Sequence, residues 1–177
     1  WYANTDVSIF CHIDGFPAEL YINDTYWGLY SLNIKKSRDN YLLSKNNVNH
    51  IQVEAANDMT YTTSGLDWSK LEIRNPKSDS GNTKFEEGVE PNDGEVKTAW
   101  GNFISYLTSI TSNTTKADLE SHLNMREFMY SMLFCDFVRD ADFWCKNTLY
   151  TTWDGGTHWA PLIYDLDMTF GLNAIYG

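Results

Sequence analysis

A β-ribbon near the end of the chain constrains the fold more than any other stretch. Residues 146–153 and 157–164 read K-N-T-L-Y-T-T-W and T-H-W-A-P-L-I-Y, rich in Thr, Tyr, Trp, Ile and Leu. Asp154-Gly155-Gly156 between them supplies residues that tolerate positive φ. A hairpin of this length returns the chain to its starting point, so its two feet must meet. One foot carries Asp142 and Asn147, and the other runs straight into Asp165-Leu166-Asp167 with Gly171 soon after. The ribbon therefore predicts that three carboxylates and an amide converge on one spot.

Like charges held close together raise one another's pKa or recruit a cation. Oxygen ligands from Asp and Asn suit Mg2+, which takes one or two carboxylates and completes its shell with water and substrate phosphates. The order of parts matches that of phosphoryl-transfer sites of the protein-kinase type. There an Asp orients the attacking hydroxyl, an Asn five residues on holds a metal, a hairpin follows, and a metal-binding Asp precedes a Gly. The plainer reading of the same residues is a D-x-D surface turn with Asp142 in a loop after a helix.

The 177 residues suit one domain, with residues 1–93 mainly β and long loops and residues 94–177 helices plus the ribbon. An apolar share of 42% with 21% charged residues belongs to a folded chain, and no apolar run approaches the roughly 18 residues that would cross a membrane. A chain beginning at Trp1 reads as an excised or matured fragment. The net charge of −11 argues against nonspecific nucleic-acid binding, which needs Lys and Arg on phosphates, and favours a basic protein partner or simple solubility. Cys11, Cys135 and Cys145 allow at most one bridge and form no zinc pattern.

Along the chain, residues 1–10 alternate weakly as a strand, and Asp14-Gly15-Phe16-Pro17 reads as a turn. E-L-Y-I-N at 19–23 and Y-W-G-L-Y-S-L at 26–32 form a second hairpin around Asn23-Asp24-Thr25, with Gly28 marking a bulge or a close backbone approach. Lys35, Lys36 and Arg38 then precede a short apolar pattern worth a turn or two of helix. These lysines are either the solvated start of that helix or phosphate-facing cations. Residues 50–54 and 71–74 are expected strands, and residues 56–67 and 75–93 long polar loops. Val96, Trp100, Phe103, Ile104 and Leu107 predict an amphipathic helix over 95–110. Thr115 caps a short helix over 116–123. Asn124, with Glu127 three residues later, opens a helix over 125–138 whose buried stripe is expected to be Phe128, Met132, Leu133 and Phe137.

Two blocks of these residues carry a family resemblance. P-A-E-L-Y-I-N-D-T-Y-W-G-L-Y at 17–30, and D-F-W-C-K-N with Y-D-L-D-M-T-F-G at 142–147 and 164–171, resemble the CotH family, atypical protein kinases named for a spore-coat protein. The resemblance implies a kinase-like fold and phosphoryl transfer from ATP, with Mg2+ or Mn2+, to a protein or other hydroxyl acceptor. It implies Asp142 as the catalytic aspartate, Asn147 and Asp165 as metal ligands, and Asp167 as support for the second carboxylate position. Where the family usually has a Glu after the first hairpin, this chain has Asn33. A lysine–glutamate pair orients the phosphates in kinase-like sites, and Lys35 or Lys36 is the cation within reach.

The expected class is α+β: N-terminal antiparallel hairpins in one sheet, a helical middle packed behind the C-terminal hairpin, and a cleft between the two parts. Two other readings stand beside the kinase. One is an inactive binding module on a cell surface, scaffold or virion, presenting some of the seven Trp and eleven Tyr. The other is a Ca2+-stabilised fold in which Asp165 and Asp167 serve structure alone.

Overall fold

The computed structural model describes residues 15–33, 36–55, 66–80, 84–140 and 146–164. Among these residues the architecture is α+β, with two antiparallel sheets and three α-helices. The first sheet is a ribbon of β1 (Gly15–Ile22) and β2 (Thr25–Asn33). Its turn is the two-residue kind, with Asn23 at φ 50° and Asp24 at φ 61°, the left-handed pair that matches the twist of flanking strands. The bulge expected at Gly28 is present: the register shifts between Leu20 and Tyr21, opposite Gly28 at φ 134°. Gly15-Phe16-Pro17 belongs to β1 and forms no turn, because a two-stranded ribbon has only edge strands and an edge accommodates proline.

The second sheet has the order β4-β3-β5-β6, built from β3 (Ile51–Ala55), β4 (Leu71–Asn75), β5 (Thr148–Thr152) and β6 (Ala160–Ile163). The N-terminal strands thus do not share one sheet. β3 pairs with β4 on one side and with β5 of the C-terminal hairpin on the other, joining residues almost 100 positions apart, as in Gln52 opposite Thr151. The hairpin between β5 and β6 is as expected, but its strands are shorter and its loop runs from 153 to 159. Asp154 organises that loop, accepting hydrogen bonds from the His158 backbone N–H at 2.9 Å and the Thr152 hydroxyl at 2.7 Å, while Gly155 and Gly156 take positive φ.

β3 is buried along its whole length, so both faces of the sheet are covered. Period-two alternation sends Ile51, Val53 and Ala55 to one face, where they meet α1 (Glu95–Ser109). This helix presents Val96, Ala99, Trp100, Phe103 and Ile104 at the expected spacing. Trp100 is fully buried, its ring 5.6 Å edge-on to Trp159, and Phe103 stacks on Trp159 at 4.7 Å. Tyr41, Leu43, Leu149 and Leu162 form a smaller cluster on the other face, brought there by the 3-10 turn Arg38–Tyr41.

Two features depart from simple pattern. Gly94 has no side chain with which to cap α1, and Asp79 from the loop after β4 does so instead, its carboxylate accepting the Val96 N–H at 3.2 Å. Burial, with Glu95 nearby, raises the Asp79 pKa against the opposing effect of that hydrogen bond. α2 (Lys116–Glu120) and α3 (Met125–Val138) start on Thr115 and Asn124 as expected, each side chain accepting from the third helical residue. The buried residues of α3, however, are Glu127, Phe128, Ser131, Cys135 and Val138, and of the expected set only Phe128 is buried. Met132, Leu133 and Phe137 are exposed, Phe137 by 77%. The small side chains of Ser131 and Cys135 let α3 approach β6 closely, and the Ser131 hydroxyl donates to the Pro161 carbonyl at 3.4 Å.

Two stability outcomes follow. In urea unfolding, Trp100→Ala should cost about 3–5 kcal/mol, the loss typical of a large aromatic removed from a packed core. Asp79→Ala should cost about 1–2 kcal/mol by uncapping α1. Asp79→Asn should cost less, since it keeps the acceptor oxygen and removes a charge facing Glu95.

Candidate functional site

Glu54 is the charged residue that β3 buries, only 4% exposed. Its parity puts it on the face away from α1, together with Glu72 and Arg74 of β4 and Tyr164 just beyond β6. An isolated carboxylate there would be strongly disfavoured, so the position is tenable only with partners. Three are present. The Lys36 ammonium donates to Oε1 at 2.6 Å, the Tyr164 hydroxyl donates to the same oxygen, and Arg74 Nε donates to Oε2. Arg74 also reaches Glu72 through a terminal guanidinium nitrogen at 2.9 Å. Lys36 Nζ lies 3.7 Å from the centroid of the Tyr164 ring, a cation–π contact.

Burial alone would push the Glu54 carboxyl up, and the hydrogen bonds from Arg74, Lys36 and Tyr164 together outweigh it. The group therefore titrates below the ordinary glutamate range. Arg74 is held protonated: Glu54 and Glu72 overcome its own desolvation and raise its pKa.

Asn147 stands at the same end of the sheet. It precedes β5, is buried, and adopts a left-handed backbone at φ 58°; its carbonyl accepts the Tyr164 N–H at 3.4 Å. The two feet of the hairpin therefore meet, as its length requires. Tyr164 touches the Lys36–Glu54 pair with its side chain and Asn147 with its backbone, and the next residue in the sequence is Asp165. Of the residues singled out in the sequence, Lys36 and Asn147 are thus brought to one end of the sheet. Lys35, Asp142, Asp165 and Asp167 lie outside the described residues. Among the described residues no group of three His, Cys, Asp or Glu side chains is placed to hold a metal.

Sequence reasoning missed Glu54, Arg74 and Tyr164. The signal was present in two strands, I-Q-V-E-A and L-E-I-R-N: the first sets the polar Gln52 and the charged Glu54, and the second the charged Glu72 and Arg74, at alternating positions between apolar residues. Opposite charges on the same face of neighbouring strands are the pattern that marks a paired buried ion.

The profile of the CotH kinase protein family matches residues 14–175. The chain belongs to the CotH family. The match spans both hairpins, the helices and the stretch from Asp142 to Gly171. No curated protein matches the chain. Membership of a CotH kinase family suggests ATP use in general terms. Lys36 keeps part of its side chain open to solvent, at 23%, so its ammonium can still be reached by an anion.

Because the folded state depresses the Glu54 pKa, the stabilisation it supplies is fully present above the unfolded value of 4.5 and is lost as pH falls through the lower folded value. Urea unfolding should show this contribution constant from neutral pH down to about 4.5 and declining below that, with none left beneath the lower folded value. Glu54→Gln should cost about 2–3 kcal/mol at pH 7, less than the 3–5 kcal/mol typical of breaking a fully buried pair because Lys36 and Arg74 still reach water. The variant should also show a shallower acid limb.

Proposed function

We propose that this CotH domain is an atypical, kinase-like phosphotransferase that moves the γ-phosphoryl group of ATP to a hydroxyl of a protein acceptor. The observation that carries the reading is the Lys36–Glu54 ion pair at 2.6 Å, set against Tyr164 at the end of the sheet where the chain runs on to Asp165. Kinase sites need a lysine held by a glutamate beside a metal-binding aspartate. Here β3 supplies the glutamate that Asn33 does not. The departure from the family pattern at Asn33 is thus met by a different element of the same fold.

In this reading Lys36, with Lys35 as its sequence neighbour, binds the nucleotide phosphates. Asn147 and Asp165 hold Mg2+ or Mn2+, and Asp167 supports that position. The metal, when bound, neutralises negative charge on the phosphates. Asp142 accepts the proton of the acceptor hydroxyl as its oxygen bonds to the γ-phosphorus and the bond from that phosphorus to the bridging oxygen of ADP breaks. The residues themselves contribute orientation and electrostatics, and no covalent enzyme intermediate is needed. A net charge of −11 favours basic protein acceptors.

A second reading has its own observation. β1 and β2 leave Tyr21, Tyr26, Trp27, Leu29 and Leu32 exposed, which suits an inactive CotH module that binds a partner at a surface.

Calorimetric titration separates the two. ATP should bind only with Mg2+ or Mn2+, about tenfold or more weakly to Lys36→Met, and not measurably to Asp165→Ala. Asp142→Asn should keep ATP affinity while phosphate transfer to a basic protein falls by about two to four orders of magnitude. A folded wild-type chain that binds no nucleotide would leave only the binding module.

A further inference from the structure

A lysine that serves both a buried glutamate and a phosphate faces a conflict. Its three N–H donors are shared, and whatever it gives to the phosphate weakens its hold on a carboxylate that cannot stand alone at 4% exposure. In a two-membered pair, phosphate binding would be opposed by the cost of stranding the glutamate. The site here has a third member. Arg74 takes Oε2 of Glu54 while Lys36 takes Oε1, so the two cations do not compete for one oxygen.

We infer that Arg74 is a positioning residue for the phosphate-binding lysine: it keeps Glu54 compensated and fixed, so that Lys36 can turn donors to a nucleotide phosphate without leaving a buried charge unpaired. This rests on the phosphotransferase reading above. Strand register supports it. Glu54 faces Glu72 across the β3–β4 pair, and Arg74, two residues on, lies on the diagonal of the same face, within reach of both carboxylates. Its fork fixes Glu72 at 2.9 Å as it holds Glu54, a two-acceptor geometry that a guanidinium offers and an ammonium on the same stem does not reproduce. Tyr164 adds a neutral donor on the Lys36 side, so Oε1 is not bare when the ammonium moves. Arg74 need not touch the nucleotide to act in this way.

The test is a double-mutant cycle on the full chain, read by calorimetric ATP titration in Mg2+ and in Mn2+, with thermal melting to establish folding. Arg74→Met should weaken ATP binding about tenfold, the scale seen when a group supporting a direct ligand is removed. Arg74→Lys, which keeps a charge on Glu54, should weaken it about three- to fivefold. In a Lys36→Met background neither change should weaken binding further, because the residue they act through is gone. With an acceptor protein, the KM for ATP should rise far more than kcat falls. A merely structural role would give equal losses with and without Lys36. Wild-type affinity in folded Arg74→Lys, or losses that add to that of Lys36→Met, would overturn the inference and leave the phosphotransferase reading standing. Where Arg74→Met does not fold, Arg74→Lys decides by the same criterion. A wild-type chain that binds no ATP would remove both.

Discussion

A strand covered on both faces has nowhere to leave a charge unpartnered, and β3 carries one at Glu54. That constraint shapes one face of the four-stranded sheet. The central strand must lie between β4, which brings Arg74, and the C-terminal hairpin, which brings Tyr164, and the segment after the first ribbon must return across this face to deliver Lys36. The donors come from positions 18, 20 and 110 residues away. A buried ion cluster of this kind is weak evidence for stability, because apolar residues of similar size often do as well. Its value lies in fixing which strands neighbour one another and where a single ammonium sits.

The opposite face shows what the sheet is without that requirement. Trp100, Phe103, Tyr150 and Trp159 pack ring on ring between α1 and the strands, with centroid separations of 4.7–5.7 Å. This layer covers the face of the sheet toward α1, and α3 packs on β6. The division of labour follows from parity alone: neighbouring residues in β3, Val53 and Glu54, belong to the aromatic core and to the ion cluster respectively.

Local chemistry was legible in the sequence. The turn at Asn23-Asp24, the bulge at Gly28, the caps at Thr115 and Asn124 and the aromatic stripe of α1 each depend on residues within a turn or two of one another. What escaped depends on distant partners. Asp79 caps α1 from 17 residues upstream. α3 turns its serine and cysteine inward because close approach to β6 outweighs side-chain hydrophobicity, an outcome that ranking residues by polarity reverses. The two sheets could not be read from the order of strands, since β3 pairs across most of the chain. At the candidate site, the convergence of the hairpin feet was legible because a hairpin is local, and Asn147 meets Tyr164 as its length demands. Glu54 was hidden because a lone glutamate in a short strand reads as a surface residue until its cation is known.

The same constraint decides where the carboxylate partner of Lys36 comes from. This chain has Asn33 at the end of the first hairpin, and the carboxylate that meets Lys36 comes from β3. Electrostatics does not ask which element donates a partner, only that the partner be close, ionised and held. Glu54 meets all three conditions from the middle of a sheet, where backbone hydrogen bonds on both sides limit its movement more than a loop could. A pair built this way ties the position of Lys36 to the integrity of the sheet. β3 and β4 serve both faces at once, with Glu54, Glu72 and Arg74 on one and Val53, Leu71 and Ile73 on the other, so a substitution that loosens their pairing disturbs the ion cluster and the apolar core together.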